Sequence, residues 1–243
     1  MTNNEKFITE HNSKYDYYSD RITKGVLGFP HRKRLKDLSE ACHDYINRDV
    51  LDVGCQDLFF DSKIIPYQKS FAGCDLGWEN AFHHAKDNIK KHGWNNVYLI
   101  KCMGEYLPFP NNLFNMTLCF ETLEHVTDEN AAVKEINRVS TGDGILVISA
   151  PIEFGIILFA KQLFRRIIYN SKSYSMKELF YAGIICDLNK VKRFKHGHKG
   201  YDYRNTIKIL SPEFKLIKKI NTPFKWLPDI LSYGVILIFR KTN

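Results

Sequence analysis

Long apolar runs are missing from this sequence of 243 residues. The longest, IEFGIILFA and YGVILIF, are too short to cross a bilayer as a helix, which argues against an integral membrane protein of the helical type. The first twenty residues are polar and acidic, and they lack the basic and then apolar pattern of a secretory signal peptide. We therefore expect a cytoplasmic protein.

Closely spaced cysteine pairs and nucleic-acid signatures are also missing. The six cysteines are spread along the chain, which argues against a zinc site and predicts reduced, mostly buried thiols. Without an RNA-binding motif or an ordered basic and aromatic stripe, we expect no nucleic-acid partner. What is present, 44% apolar and 26% charged residues, is typical of a folded domain.

Charge is distributed unevenly between the two parts of the chain. Residues 1–150 hold 17 Lys and Arg against 21 Asp and Glu, whereas residues 151–243 hold 18 against 6. Two interpretations of the basic C-terminal part are open. It is either a solvated basic face or a surface that meets something anionic, such as a phosphorylated substrate or a lipid headgroup.

Short apolar runs alternate with helical segments along most of the chain. The pattern predicts helices at 31–47, 78–93 and 128–140 and strands at 49–54, 70–75, 96–101, 115–120, 145–151, 213–221 and 233–241. Continuously apolar strands are typical of a parallel sheet that is covered on both faces, and the last two strands favour an antiparallel pair at its edge. We therefore predict an α/β fold, a doubly wound, mostly parallel, seven-stranded Rossmann-like sheet with helices on both faces and an antiparallel C-terminal strand.

We expect a single domain over 1–243 that includes two special segments. The first is an N-terminal arm over 1–30, which either closes a site from one side or docks elsewhere through Tyr15, Tyr17, Tyr18 and Arg21. The second is an inserted helical segment over 152–200 that covers the substrate. Its apolar stretch 152–170 favours a helix packed on the sheet or in a homodimer, and the alternatives are a lid over the acceptor or a helix lying on anionic lipid. The sequence leaves a monomer and a homodimer open.

The residues just after each strand are the candidates for a ligand site, because open α/β sheets bind ligands beyond the carboxyl ends of their strands. Asp75 ends the second strand about twenty residues after the glycine turn, where an acidic side chain can accept hydrogen bonds from ribose hydroxyls. The GxGxxG turn of dinucleotide oxidoreductases is absent, which argues against that class.

One stretch, CMGEYLPFPNNLFNMTLCFETLEHVTDENAAVKEINRVSTGDGILVISAP at 102–151, resembles the class I S-adenosylmethionine-dependent methyltransferases, and within them the small-molecule, type 11-like group. The resemblance rests on Leu-Pro-Phe-Pro at 107–110 and Leu-Glu-His-Val at 123–126, and with the first two strands it covers about 45–151. It implies a Rossmann-like sheet, S-adenosylmethionine as cofactor and a small-molecule acceptor. The residues it implies for the cofactor are Asp52, Gly54, Cys55, Gln56, Asp75, Leu76, Met103, Gly104, Glu105, Phe120 and Glu121.

The glycine turn departs from that family. It usually reads Gly-Cys-Gly-x-Gly, whereas here Gln56 and Leu58 replace the second and third glycines. Met103 also stands where an acidic residue often contacts adenine. Because S-adenosylmethionine carries no phosphate, it does not need a cradle of backbone N–H groups, and we expect binding if Gln56 and Leu58 leave the hollow open. Gly54 is expected to let the chain pass close to the cofactor.

Two histidines are candidates for the chemistry. His125 follows the fourth strand and is either a helix cap or a base, and His198 lies in a loop that resembles the acceptor-facing segment of sugar- and lipid-modifying relatives. Glu121 and Glu124 lack a third ligand in the sequence, so we predict no metal.

The function we expect is methyl transfer to a small-molecule acceptor that is anionic or lipid-linked, namely an oxygen of a glycan or lipid-linked sugar precursor. It rests on the resemblance of 151–153 and 197–201 to relatives of that type. The alternatives are a C- or O-methyltransferase of a quinone-like lipid and a non-catalytic module that binds S-adenosylmethionine. Peripheral membrane contact fits either lipid-linked acceptor.

Overall fold

The computed structural model describes residues 28–76, 79–170, 172–194 and 197–242. The residues singled out in the N-terminal arm, Tyr15, Tyr17, Tyr18 and Arg21, lie outside these ranges. The strands are β1 (Asp49–Val53), β2 (Ser70–Asp75), β3 (Val97–Lys101), β4 (Phe114–Phe120), β5 (Ser140–Pro151), β6 (Phe214–Thr222) and β7 (Gly234–Lys241). The helices are α1 (Phe29–Cys42), α2 (Glu79–His92), α3 (Glu129–Val139), α4 (Ile156–Tyr169), α5 (Met176–Phe180) and α6 (Tyr203–Leu210).

The seven strands form one sheet in the order β3-β2-β1-β4-β5-β7-β6. The pairings from β3 to β5 are parallel, and β7 is antiparallel to both of its neighbours, so the predicted fold class is confirmed. The order reverses beside β1 and β4, and this reversal is where a doubly wound sheet binds ligands.

Strand β5 begins five residues earlier than the sequence indicated. Ser140 pairs with Phe114, and the register then shifts before Met116 pairs with Ile145. The Ser140 hydroxyl donates to the carbonyl of Ile136 at 2.7 Å, which joins the end of α3 directly to the strand. Residues 142–144, which separate the predicted helix from the predicted strand, therefore belong to an irregular part of the strand.

The core lies on both faces of the sheet, because alternate residues of a strand point to opposite sides. On one face, Leu51 and Val53 of β1 pack with buried residues of α3, α4 and α6. On the other face, Val50 packs with residues of α1 and α2. The predicted mostly buried thiols are confirmed, since four of the six free cysteines are buried.

Helix α1 ends at Cys42, five residues before the predicted end. Tyr45 donates its backbone N–H to the carbonyl of Cys42, which tightens the last turn, and Asn47 at φ +56° redirects the chain into β1. Ile46, which lies beyond the end of α1, is 56% exposed. The buried face of α1 carries Arg34, Asp37, Leu38, Ala41 and Cys42.

The segment 152–200 is mostly helical, as expected. Helix α4 packs against the wide helical turn Tyr181–Ile185, and a Cβ at Gly183 would lie 2.6 Å from the Cβ of Phe159. Leu158 joins the core of the sheet, whereas most apolar side chains of α4 are exposed, so the helix does not lie flat on the sheet. Within the described ranges, every helix is too short or too polar to cross a membrane.

Candidate functional site

The carboxyl ends of β1 and β4 are locked together at Gly54. This glycine has a φ of +86°, and a Cβ there would lie only 2.2 Å from Oγ1 of Thr122. The backbone N–H groups of Gly54 and Cys55 both donate to the carbonyl of Cys74 in β2, at 2.7 and 3.1 Å. Glycine is therefore required for the contact with the loop after β4, a reason that the sequence analysis did not foresee.

The two replaced glycines keep a glycine-like backbone. Gln56 has a φ of +46° and Leu58 a φ of +63°, in the left-handed region that glycine occupies without steric cost. The side chain of Leu58 is fully buried in the core on the α1 side of the sheet. Gln56 donates its backbone N–H to Oδ2 of Asp75 at 3.2 Å. Leu58 thus leaves the hollow open, and Gln56 forms part of its wall.

An enclosed cavity of about 70 Å³ lies at this strand end. Its walls are Arg34, Asp52, Gly54, Cys55, Gln56, Asp57, Phe60, Asp61, Phe120, Glu121, His125 and His198. Eight of the thirteen predicted site residues are among them, including both candidate catalytic histidines. Sites for small molecules usually measure about 300 to 1,000 Å³, so this cavity alone is too small to hold a whole nucleoside.

The remaining predicted cofactor residues follow β2 and β3. Asp75 is half-buried, and Leu76 beside it is 53% exposed. A Cβ at Gly104 would lie 3.1 Å from Val53, so the loop after β3 approaches β1 closely. Glu105 is turned inward and accepts backbone N–H groups of Thr127 and Asp128, which leaves its backbone rather than its carboxylate for a ligand.

Two buried carboxyl groups meet at the floor of the cavity. Asp52 and Asp61 are each 1% exposed and hydrogen-bonded to each other. Burial raises the pKa of Asp52, and burial together with the neighbouring Asp52 raises the pKa of Asp61. The pair therefore retains a proton to a higher pH than free carboxyl groups do.

A buried arginine closes the opposite wall. Arg34 of α1 is 5% exposed, and its Nη1 lies 2.9 Å from Oε1 of Glu121. Its guanidinium also lies over the ring of Phe60, 5.6 Å from the ring centroid. The walls of the cavity thus contain the guanidinium of Arg34 and four carboxyl groups, those of Asp52, Asp57, Asp61 and Glu121.

Both candidate catalytic histidines lie at the mouth of this cavity. The ring centroids of His125 and His198 are 5.2 Å apart. Beneath them lies Glu124, which is fully buried, with its Oε1 3.8 Å from Nε2 of His125 and 3.7 Å from Nε2 of His198. Burial and the neighbouring Glu121 raise the pKa of Glu124. The sequence analysis found no third potential metal ligand near Glu124. The folded chain places the imidazoles of His125 and His198 beside this carboxylate.

A larger cavity of 710 Å³ lies elsewhere, against β2 and β3. Its walls are mostly apolar and include Ala72, Leu99 and Phe114. None of the thirteen predicted site residues lines it, and the ionisable groups described above converge on the smaller cavity. We therefore place the candidate site at the smaller one.

Comparison with known proteins relates part of this chain to one family. Residues 51–148 match the family model described as "Methyltransferase domain". These residues are therefore similar to a methyltransferase domain. The match begins in β1 and ends in β5, and so includes the loops that build the cavity.

Two curated proteins are similar in sequence to part of this chain. The chain is similar to a demethylmenaquinone methyltransferase of Geobacillus stearothermophilus, 29% identical over 143 residues, which are 56% of this chain and 60% of the relative. It is also similar to a probable S-adenosylmethionine-dependent methyltransferase of Mycobacterium tuberculosis (strain ATCC 25618 / H37Rv), 27% identical over 104 residues, 43% of this chain and 36% of the relative. The chain thus spans 36% to 60% of the length of these relatives.

Solved structures share the fold of the methyltransferase domain. The N-methyltransferase NodS from Bradyrhizobium japonicum WM9, solved with S-adenosyl-L-homocysteine, superposes with a TM-score of 0.65 at 14% identity over 98% of both chains. A protein from Pyrococcus horikoshii OT3 gives a TM-score of 0.67 at 16% identity, over 96% of this chain and 99% of that one. At these identities the likeness concerns the fold.

Sequence reasoning missed two parts of the site. Arg34 occurs in the basic run HRKRLK, and its signal was a cation four residues before Leu38, on the buried face of the helix. Asp61 carried no local signal, because its meeting with Asp52 depends on the path of the loop after β1. Glu124 was not chosen as a site residue because one of its two neighbouring histidines, His198, comes from a distant segment of the chain.

We predict that Asp61→Asn makes the stability less dependent on pH. In the unfolded chain both carboxyl groups ionise near pH 4, whereas the folded chain retains the shared proton. The folded state then binds more protons, so stability falls as pH rises from about 4 through the raised pKa values. Urea unfolding at pH 4 and pH 8 should show the variant gaining stability only at pH 8, by about 1.4 kcal/mol per pKa unit.

The exposed Asp143→Asn is the matched control and should change stability equally at both pH values. An Asp61→Asn variant that is no more stable relative to wild type at pH 8 than at pH 4 would contradict the shared proton.

Proposed function

We propose that this chain transfers a methyl group from S-adenosylmethionine to a hydroxyl oxygen of a small-molecule acceptor. The observation that carries the proposal is the pair His125 and His198 at the mouth of a cavity whose floor is the carboxyl end of β1 and β4. In a methyltransferase domain this is the edge where cofactor and acceptor must meet.

The residues at the cavity fit the cofactor chemically. Asp75 would hold the ribose hydroxyls, Arg34 offers the methionine carboxylate a buried cation, and the backbone at 104–105 would contact adenine. The buried Oδ1 of Asp52 has no hydrogen-bond partner among the described residues, so it can accept one from the methionine ammonium. When bound, S-adenosylmethionine supplies an electrophilic methyl group on a sulfonium.

The chain itself contributes positioning and removal of a proton. The acceptor oxygen must form its bond to the methyl carbon as the carbon–sulfur bond breaks and the electron pair goes to sulfur. The hydroxyl proton must leave at the same stage, and His125 and His198 are the imidazoles that face this position. Closing the site excludes water from the displacement.

The acceptor would lie under 152–200. Glu153, which is 3% exposed, accepts a hydrogen bond from the Tyr174 hydroxyl at 2.7 Å and pairs with Lys161 at 3.1 Å. Lys199 lies over the ring of Tyr174, 5.1 Å from its centroid. A polar, basic segment beside His198 supports an anionic hydroxyl compound, and we propose a glycan or lipid-linked sugar precursor.

The second candidate is a quinone-like lipid. It is favoured by the similarity to a demethylmenaquinone methyltransferase, which acts on such an acceptor by its name. The exposed apolar side chains of α4 would suit it too. The cytoplasmic location stays a prediction, and a monomer and a homodimer both stay open.

We predict that the chain binds S-adenosylmethionine and that Asp75→Ala weakens binding by roughly 100-fold, because hydrogen bonds to a charged group contribute about 1.5 to 3 kcal/mol each. Isothermal titration calorimetry measures it, with Asp143→Ala as the control that should bind like wild type. An absence of heat for the wild-type chain at high micromolar cofactor would reject the enzyme and leave a fold retained for another purpose.

We predict that sugar hydroxyls accept the methyl group and quinols do not. The chain would be incubated with S-adenosylmethionine labelled in the methyl group and, separately, with phosphorylated or lipid-linked saccharides and with a reduced demethylated quinone. Label in an alkali-stable methyl ether of a saccharide supports the proposal, and label in the quinone alone replaces it by the second candidate. His198→Gln should abolish transfer while cofactor binding stays within about twofold, since His198 lies at the mouth and not on the ribose side.

We also propose that α4 and the turn after α5 touch an anionic membrane surface. Phe164, Ile167 and Ile168 are 56%, 72% and 57% exposed, and Ile184 and Ile185 are 51% and 53% exposed. Exposed Arg165 lies among them, and the surrounding C-terminal part of the chain is strongly basic. An exposed apolar patch bordered by cations is typical of a helix that lies on anionic lipid.

We predict that the chain floats with phosphatidylglycerol vesicles and not with phosphatidylcholine vesicles, and that added salt releases it. The double variant Ile167→Ser/Ile168→Ser should lose flotation. Ile46→Ser is the control, because Ile46 is similarly exposed but precedes β1 at the opposite end of the sheet. A variant that floats like wild type, or a patch that instead makes dimers in sedimentation, contradicts membrane contact.

A further inference from the structure

We infer that Glu124, His125 and His198 bind a divalent first-row transition cation at the acceptor side of the cavity. One ligand atom of each residue lies within 4.8 Å of the others. A sequence-based expectation of no metal rested on two neighbouring glutamates, whereas these three ligands come from the loop after β4 and from the loop before α6. The binding of the ion stands alone, and its catalytic role rests on the proposed function.

The distances fit a cation with small adjustments. Two metal–ligand bonds of about 2.1 Å at a tetrahedral angle set their ligand atoms about 3.4 Å apart. The carboxylate oxygen of Glu124 lies 3.7 and 3.8 Å from the two imidazole nitrogens, so these two pairs need shifts of a few tenths of an ångström, and all three ligand atoms lie within 4.8 Å of one another. Both histidines are about 40% exposed, which leaves coordination positions open toward the acceptor.

The environment of Glu124 is the second observation. Its side chain is fully buried, yet neither carboxylate oxygen accepts a hydrogen bond from any described residue. A buried carboxylate without hydrogen bonds is costly unless a cation lies against it. A divalent ion held also by the two imidazoles supplies that cation.

The two loops are held in place by Arg193. Its guanidinium donates to the carbonyl of Glu124 at 2.7 Å and to the carbonyl of Lys199 at 3.1 Å, and it also contacts the carbonyl of Gly197. The backbone on both sides of His198 is thereby fixed to the backbone of Glu124. Ligands from distant segments are thus presented together before any ion arrives, which lowers the ordering cost of binding.

The ligand set indicates the kind of ion and its use. Two imidazoles and a carboxylate suit Zn²⁺, Fe²⁺, Co²⁺ or Mn²⁺ better than Mg²⁺, which prefers oxygen ligands. An ion with open positions can take the acceptor hydroxyl and lower its pKa. With the ion bound, the two imidazoles serve as its ligands instead of removing the proton, which passes to water as the oxygen attacks the methyl carbon and the carbon–sulfur bond breaks. The substrate class that this favours is a hydroxyl compound, since a carbon or amine acceptor gains little from such an ion.

The test is binding of the metal alone to the full chain after dialysis against a chelator. Titration with CoCl₂, followed by visible absorbance, and with ZnCl₂, followed by calorimetry, should each show one site per chain. His198→Ala and the isosteric Glu124→Gln should each weaken it by more than about 100-fold, because even outer partners of metal ligands contribute about 10- to 100-fold. Circular dichroism verifies that the variants fold.

The matched control is His83→Ala, because Nε2 of His83 lies 3.6 Å from a carboxylate oxygen of Asp87 on the surface of α2. It should leave metal binding unchanged. The proposal is overturned if wild type binds neither ion at 1 mM or roughly that level, if His198→Ala binds like wild type, if Mg²⁺ binds more tightly than Co²⁺, or if the cobalt spectrum shows thiolate ligation. S-adenosylmethionine titrated in parallel separates the two ideas, since cofactor binding without metal binding rejects only this site, and metal binding without cofactor binding rejects only the proposed function.

Discussion

The contact between Gly54 and Thr122 is the constraint on which the site depends. With a Cβ-to-Oγ1 distance of only 2.2 Å for any larger residue, the loop after β1 lies directly against the loop after β4. That contact accompanies a shared cavity, which the buried pair Asp52 and Asp61 lines together with Glu121 of the second loop. The parallel sheet alone would place both loops at one edge, and the glycine sets how closely they meet.

The loss of two glycines from the turn is compensated by the core. A left-handed residue with a side chain costs roughly 1 to 2 kcal/mol, and here Gln56 and Leu58 both have this conformation. The side chain of Leu58 is fully buried, and burying a leucine contributes about 1.5 to 3 kcal/mol to the free energy of folding. The strain at 58 is therefore offset by apolar burial, and the turn keeps its shape without its usual residues. Glu121, at φ +51°, lines the same cavity as Gln56, which agrees with the clustering of strain at functional sites.

The sheet was predictable from sequence because its strands are continuously apolar and each ends at a turn. The strand-end residues Asp52, Asp75 and Glu121 were predictable for the same reason, since topology alone brings such ends together. The pairing of Asp52 with Asp61, the insertion of Arg34 and the approach of His198 to Glu124 were not. Each joins segments whose separation is set by loop paths, and a single sequence does not reveal these without covariation. The early end of α1 escaped prediction because its last turn tightens locally at Tyr45 and Asn47.

The ion pair of Arg34 with Glu121 gives the buried guanidinium a resident counter-ion. In the proposed binding mode an incoming carboxylate would displace that partner, so entry of a zwitterionic ligand would exchange one anion for another on the same cation. The displaced glutamate would then leave its negative charge without a counter-ion in the cavity that both imidazoles also line. An anion bound at Arg34 would thereby make the part of the cavity beside the two imidazoles more attractive to positive charge. The two parts of the cavity would then be electrostatically linked through one arginine.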